Sequence, residues 1–160
     1  MNVQVSQQQR LKAQAFKALH DRQGIFVIPN PWDAGSAKML AGLGYQALAT
    51  TSAGYAFSQG KPDGALSLDE TLANVRAIVA ATDLPVAVDL ENGFADDPVE
   101  SAQSLLRAAE AGAVGGSIED ATGRPDAPIY CFEHAVARIE AAVAAVRTLA
   151  FPFILTARAE

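Results

Sequence analysis

The sequence predicts an α/β protein: a parallel β/α barrel with only about the first five β/α units present. Three observations lead there. Short apolar runs of about six residues alternate with amphipathic stretches of about 10–15, the pattern of βαβ units on a parallel sheet. No run feeds a G-x-G-x-x-G or G-x-x-x-x-G-K-[ST] turn, which disfavours a doubly wound nucleotide-binding sheet; AGLGYQ and AGAVGG are helix exits into strands. Polar residues collect at the C-terminal end of every run, where β/α-barrel enzymes keep their active sites.

The elements follow in order. Residues 6–22 carry Leu11, Ala15, Phe16 and Leu19 at helical spacing and predict a leading helix within 1–23. GIFVIPN reads as a first strand stopped by Pro29, and Asp33 caps a helix running to Leu43. YQALAT is the second strand, and TSAGYAFSQGKPDGALS (51–67) reads as a loop. Ser67 caps a helix over 68–82; PVAVDLE is the third strand, followed by a helix near 98–111 that stops at Gly112. AVGGSIED is the fourth strand, 132–149 a helix, and FPFILTAR the fifth strand. A barrel of TIM type needs ~250 residues for eight units. Residues 1–160 therefore read as one domain, the N-terminal part of such a barrel.

Composition narrows the function. Half of the 160 residues are apolar and the net charge is −6, with 12 Lys and Arg scattered singly. A nucleic-acid or anionic-membrane surface needs a basic patch, and none is visible. One cysteine, Cys131, excludes a disulfide framework. MNVQVSQQQR lacks the pattern of a signal peptide, and no run reaches ~18 apolar residues. The expectation is a soluble cytoplasmic protein without nucleic-acid or membrane partners.

Strand alternation then places side chains. On PVAVDLE, Val86, Val88 and Leu90 share the face under the helices, leaving Ala87, Asp89 and Glu91 on the other. On the next strand Val114, Gly116 and Ile118 go outward, while Ser117 and Glu119 go inward. Phe153, Leu155 and Ala157 face helices, with Thr156 and Arg158 inside. Asp89, Glu91 and Glu119 would thus crowd one mouth, where two like charges ~4 Å apart repel by ~4 kcal/mol at an effective dielectric of 20. A divalent cation removes the conflict. An all-oxygen ligand set favours Mg²⁺ or Mn²⁺ over zinc; a metal-free acid–base pair is the rival use. Arg158 either pairs with Glu119 or Glu160, or clamps a substrate carboxylate. Lys12, Lys17, Lys38 and Lys61 fall on helices or loops, so a Schiff-base aldolase is excluded.

NPWDAGSAKML (30–40), ALATTSAGYAFSQGKPDG (47–64), VDLENGF (88–94), GAVGGSIED (112–120) and TARAE (156–160) together resemble the isocitrate lyase/phosphoenolpyruvate mutase superfamily, in register from about residue 24 onward. The resemblance implies a β/α barrel with Mg²⁺ at its mouth, acting on small 2-oxo acids, their phosphonates, or hydroxy di- and tricarboxylates. It implies Asp89 as the direct metal ligand, Glu91 and Glu119 as further acids of that shell, and Asp63 as the aspartate near metal-bound water or the reacting group. Thr51, Ser52 and Ala53 match the turn holding the substrate carboxylate and oxo group, and Arg158 matches the arginine that grips the substrate.

One segment departs from the family. Its carbon–carbon lyases carry a Lys-Lys-Cys-Gly-His gate after the fourth strand, and its phosphorus enzymes a lysine with an Asn-Ser pair; ATGRPDAPIYCFEH (121–134) matches neither. Cys131 reads as a half-buried packing residue, His134 and His20 as surface residues, and Arg124 as the only basic group open to that loop. The family continues for three more strands and a C-terminal helix often exchanged between subunits, so a homo-oligomer is expected. The leading expectation is a Mg²⁺-dependent carbon–carbon lyase working through an enolate. Phosphonopyruvate hydrolysis or mutation, and a non-catalytic partial barrel, are the alternatives.

Overall fold

The computed structural model describes residues 5–160. Residues 1–4 of the expected leading segment, and of the start read as lacking a signal-peptide pattern, lie outside the described residues. Helix α1 (Gln7–Asp21) starts where the Ser6 side chain accepts a hydrogen bond from Gln9 N–H. Helix α2 (Ala34–Gly42) starts at a reciprocal Asp33–Ser36 capping box. Then come β1 (Leu48–Ala49), α3 (Ser52–Ser58) and α4 (Leu68–Ala81), the last opened by a Ser67–Glu70 capping box. The chain continues through β2 (Val86–Asp89), α5 (Pro98–Glu110), β3 (Gly115–Glu119), α6 (Phe132–Val146) and β4 (Ile154–Arg158).

The four strands form one parallel sheet in the order β1-β2-β3-β4. Its register sets Asp89 opposite Ser117, and Glu119 opposite Arg158. Val86, Val88, Val114 and Ile118 are buried against the helices, as the alternation predicts. On the other face Phe16 of α1 lies against the sheet, so close that a Cβ at Gly115 would stand 2.7 Å from its ring. Acid-bearing strand ends therefore stay open while the opposite end is filled. Among the described residues no helix is long and apolar enough to cross a membrane.

Two expectations are corrected. GIFVIPN forms no strand: Pro29 O accepts from Ala49 N–H at 3.1 Å, and Asn30 Nδ2 donates to Ala49 O at 3.0 Å. Prolines at 29 and 31 remove the donors a ladder needs, and Ile25 and Val27 stay exposed. The 51–67 loop contains α3. The Thr51 hydroxyl accepts from Gly54 N–H at 3.2 Å and caps it. A glycine at 54 weakens the helical pattern in the sequence, but a Cβ there would stand 2.4 Å from Trp32 Nε1.

Candidate metal and substrate site

Asp89 closes β2 and is held from three sides. Its Oδ2 accepts from the Ser52 amide at 3.0 Å and from the Ser52 hydroxyl at 2.8 Å, and its Oδ1 accepts from Glu91 N–H at 3.2 Å. Its own N–H donates to Thr50 Oγ1 at 3.0 Å. These bonds fix the carboxylate's orientation before any ligand arrives.

Glu91 reaches the same mouth by a different route from the one its alternation implies. The strand ends at Asp89, and Glu91 takes φ 50 in a left-handed turn with Gly93 (φ 77) and Phe94 (φ 61). Gly93 N–H closes that turn on Leu90 O at 2.7 Å, and Glu91 O accepts from Glu119 N–H at 2.9 Å. The Glu91 carboxyl is half-buried and its Oε1 has no hydrogen-bond partner. Burial first, then the charges of Asp89, Asp63 and Glu119, push it from 4.5 up to about 7.

Glu119 is raised too, by burial, against the opposing pull of Arg158. Arg158 is half-exposed and pairs both with Glu119, at 3.4 Å, and with Glu160. Its structural pairing is thus present without substrate. Asp63 is exposed on the loop before α4, and its Oδ1 accepts from Gly64 N–H at 2.9 Å. Thr51, Ser52, Ala53, Asp63, Asp89, Glu91, Glu119 and Arg158 all line one open cleft of about 970 Å³.

The acids share this cleft without closing on a point. Among the described residues, no three His, Cys, Asp or Glu side chains stand close enough to hold one metal ion directly. A hard cation still fits the donors. Mg²⁺ is bound by one or two carboxylates and keeps several waters, and the partnerless Glu91 Oε1 beside Asp89 and Glu119 lacks such a positive partner.

Several functional-looking residues escape the sequence reading. Thr50 holds the Asp89 backbone. Residues 120–131 form a small hairpin, with Ala121 bridged to Ile129, and it docks on the turn after β2. Asp96 accepts from Tyr130 Oη–H and from Arg124 Nη1 at 2.6 Å, and Asn92 Nδ2 donates to Thr122 O at 3.3 Å. Arg124 therefore pairs with Asp96. Cys131 is exposed at the start of α6, which overturns its packing assignment. His134 is half-buried, its Nε2 hydrogen-bonded to Asp96 O at 2.9 Å, so it is no plain surface residue. His20 is exposed and meets Phe16 and Phe26 edge-on.

Comparison with known proteins supplies the relatives. 2-Methylisocitrate lyase of Salmonella typhimurium is 35% identical over 138 residues, spanning 81% of this chain and 47% of that enzyme. The crystal structure of a candidate lyase/mutase from Burkholderia cenocepacia J2315 superposes with TM-score 0.94 at 61% identity, over 96% of this chain and 55% of that one. Phosphonopyruvate hydrolase, in complex with oxalate and Mg²⁺, superposes with TM-score 0.86 at 26% identity, over 93% and 52% of the two chains. The chain thus spans about half the length of the relatives it matches. Residues 16–160 match the phosphoenolpyruvate phosphomutase family model. The chain belongs to that family, within the phosphoenolpyruvate mutase/isocitrate lyase superfamily.

Proposed function

We propose that this chain carries the acid-lined mouth of a Mg²⁺-dependent lyase that breaks a carbon–carbon bond in a small 2-oxo or hydroxy di- or tricarboxylic acid through an enolate. The observation that carries the reading is the Glu91 carboxylate: half-buried, with a partnerless oxygen, beside Asp89 and Glu119 in a cleft that also holds Arg158. Burying an unpaired acid is costly, and such groups cluster at functional sites. The curated relative acting on 2-methylisocitrate supports the carbon–carbon chemistry, and the Mg²⁺ named with phosphonopyruvate hydrolase supports the ion.

Asp89, Glu91 and Glu119 would hold the ion, directly or through water. Bound there, Mg²⁺ supplies positive charge where the substrate's 2-oxo and carboxylate oxygens gain electron density. Arg158 grips the carboxylate bidentately by giving up its contacts with Glu119 and Glu160. The Thr51–Ala53 turn orients the same group, and Asp63 positions a water or a proton beside it.

A second reading keeps the site and breaks a carbon–phosphorus bond instead. The phosphomutase family model and the phosphonopyruvate hydrolase likeness favour it. Assay with oxaloacetate, a 2-methylisocitrate-type substrate and phosphonopyruvate, each with Mg²⁺, decides between them. Cleavage of one of the first two is the expected result; phosphate release from phosphonopyruvate alone overturns the lyase reading. Absence of Mn²⁺ binding by water-proton relaxation overturns both and leaves a non-catalytic partial barrel.

A further inference from the structure

Arg138 lies on α6, far along the sequence from every acid of the mouth, and is 1% exposed. Burying a guanidinium without a strong set of partners is costly. Its partners are carbonyl oxygens of one short segment. Nη1 donates to Ala95 O at 2.6 Å and to Asp96 O at 2.7 Å, and Nη2 donates to Asn92 O. The guanidinium also stacks 4.3 Å from the centre of the Tyr130 ring, whose hydroxyl donates to the Asp96 carboxylate. One side chain thus gathers the backbone of 92–96 from above and, through Tyr130, from the side.

That segment includes most of the left-handed turn. Glu91 and Phe94 are non-glycine residues at φ 50 and φ 61. Such conformations cost of order 1–3 kcal/mol each and persist where surrounding contacts over-determine them. Glu91 itself is bonded at both backbone groups, N–H to Asp89 Oδ1 at 3.2 Å and O from Glu119 N–H at 2.9 Å, whereas the residues after it have Gly93 N–H to Leu90 O at 2.7 Å and Phe94 N–H to Asn92 Oδ1 at 3.0 Å. The charge-assisted bonds from Arg138 are the strong ones in the set. They fall on the segment that directly follows Glu91.

We propose that Arg138 is a positioning residue: by clamping the 92–96 carbonyls it holds the left-handed turn that presents the Glu91 carboxylate to the cation. The cation part rests on the function proposed above; the clamp itself does not. Arginine suits the task because its rigid fork spreads several donors across separate acceptors, which a lysine ammonium cannot match.

The test compares wild type with Arg138→Met, Arg138→Lys and Val146→Ala, the last a packing control further along α6. Amide hydrogen exchange at Gly93 and Phe94 reports the turn, and exchange at Ile118 reports the sheet. The clamp predicts exchange at Gly93 and Phe94 at least tenfold faster in Arg138→Met, a smaller increase in Arg138→Lys, and little change at Ile118. Val146→Ala should move all three sites in parallel. If Arg138→Met does not fold, Arg138→Lys carries the same comparison. Unchanged turn exchange in the folded variants, or acceleration spread evenly over the sheet, overturns the clamp.

Mn²⁺ affinity by water-proton relaxation is the second readout. Removing a group that orients a ligand lowers affinity by about 10–100-fold, so Arg138→Met should bind that much more weakly, with Arg138→Lys between it and wild type. Equal affinity in wild type and Arg138→Met overturns the link from clamp to cation. No binding by wild type overturns the functional reading instead, and the exchange data then decide the clamp alone.

Discussion

Ser52 donates both its amide and its hydroxyl to the same oxygen of Asp89, at 3.0 and 2.8 Å. The start of α3 is thereby fastened to the end of β2, and the orientation of the Asp89 carboxylate is fixed. Outer partners of this kind are worth about 10–100-fold in metal affinity. Ser52→Ala keeps the amide bond and loses the hydroxyl bond, so Mn²⁺ affinity should fall about tenfold with the circular dichroism spectrum unchanged. Undiminished affinity would remove Ser52 from the site's support.

Glu91 sets a pH dependence. Its carboxyl is pushed from 4.5 up to about 7 by burial and by the neighbouring acids. Between those values the unfolded chain has released the proton that the folded protein keeps. The metal-free protein therefore loses stability as pH rises through that window. Glu91→Gln removes the effect: in chelator its melting temperature should exceed wild type at pH 8, and the two should converge near pH 4. Parallel melting profiles would contradict the assigned burial.

Arg158 holds Glu119 at 3.4 Å and contacts Glu160 while half-exposed. A pair this open adds little to stability, so Arg158→Lys should leave the melting temperature almost unchanged. A lysine keeps the charge but loses the bidentate fork. Binding of a 2-oxo acid in the presence of Mg²⁺ should therefore weaken about tenfold or more, as KM or as a calorimetric affinity. An unaltered value would reduce Arg158 to a surface ion pair.

Gly54 is required by Trp32. A Cβ at 54 would stand 2.4 Å from the indole nitrogen and 2.7 Å from the Thr51 side chain. Gly54→Ala should cost about 1–3 kcal/mol, the usual range for overpacking, despite alanine's better helix propensity. Trp32 is the only tryptophan of the chain, so its fluorescence would report the displacement directly. A stabilised variant with unshifted emission would show that the contact gives way easily.

The strand and helix order was legible because burial imposes periodicity. Val86, Val88, Val114 and Ile118 alternate as the sheet demands, and Asp33, Ser67 and Gly112 mark helix ends where the chain ends them. The first strand was not legible, since an apolar run such as GIFVIPN does not show whether its backbone donors find partners. Helix α3 was hidden because the glycine that breaks its pattern answers to Trp32, a contact between residues distant in sequence.

The sequence by itself determined the parallel α/β order and the shared end at which Asp89, Glu119 and Arg158 lie, since any parallel sheet of this connectivity brings its strand ends together; Asp63 and the Thr51–Ala53 turn came only from the family resemblance. Only the tertiary structure decided how they are aimed. Glu91 enters the mouth through a left-handed turn rather than by strand alternation, Ser52 holds Asp89, and Arg138, buried on α6, gathers the 92–96 carbonyls. The physical reason is that alternation is a local property of the backbone. A hydrogen bond between side chain and distant carbonyl depends on packing that no local pattern records.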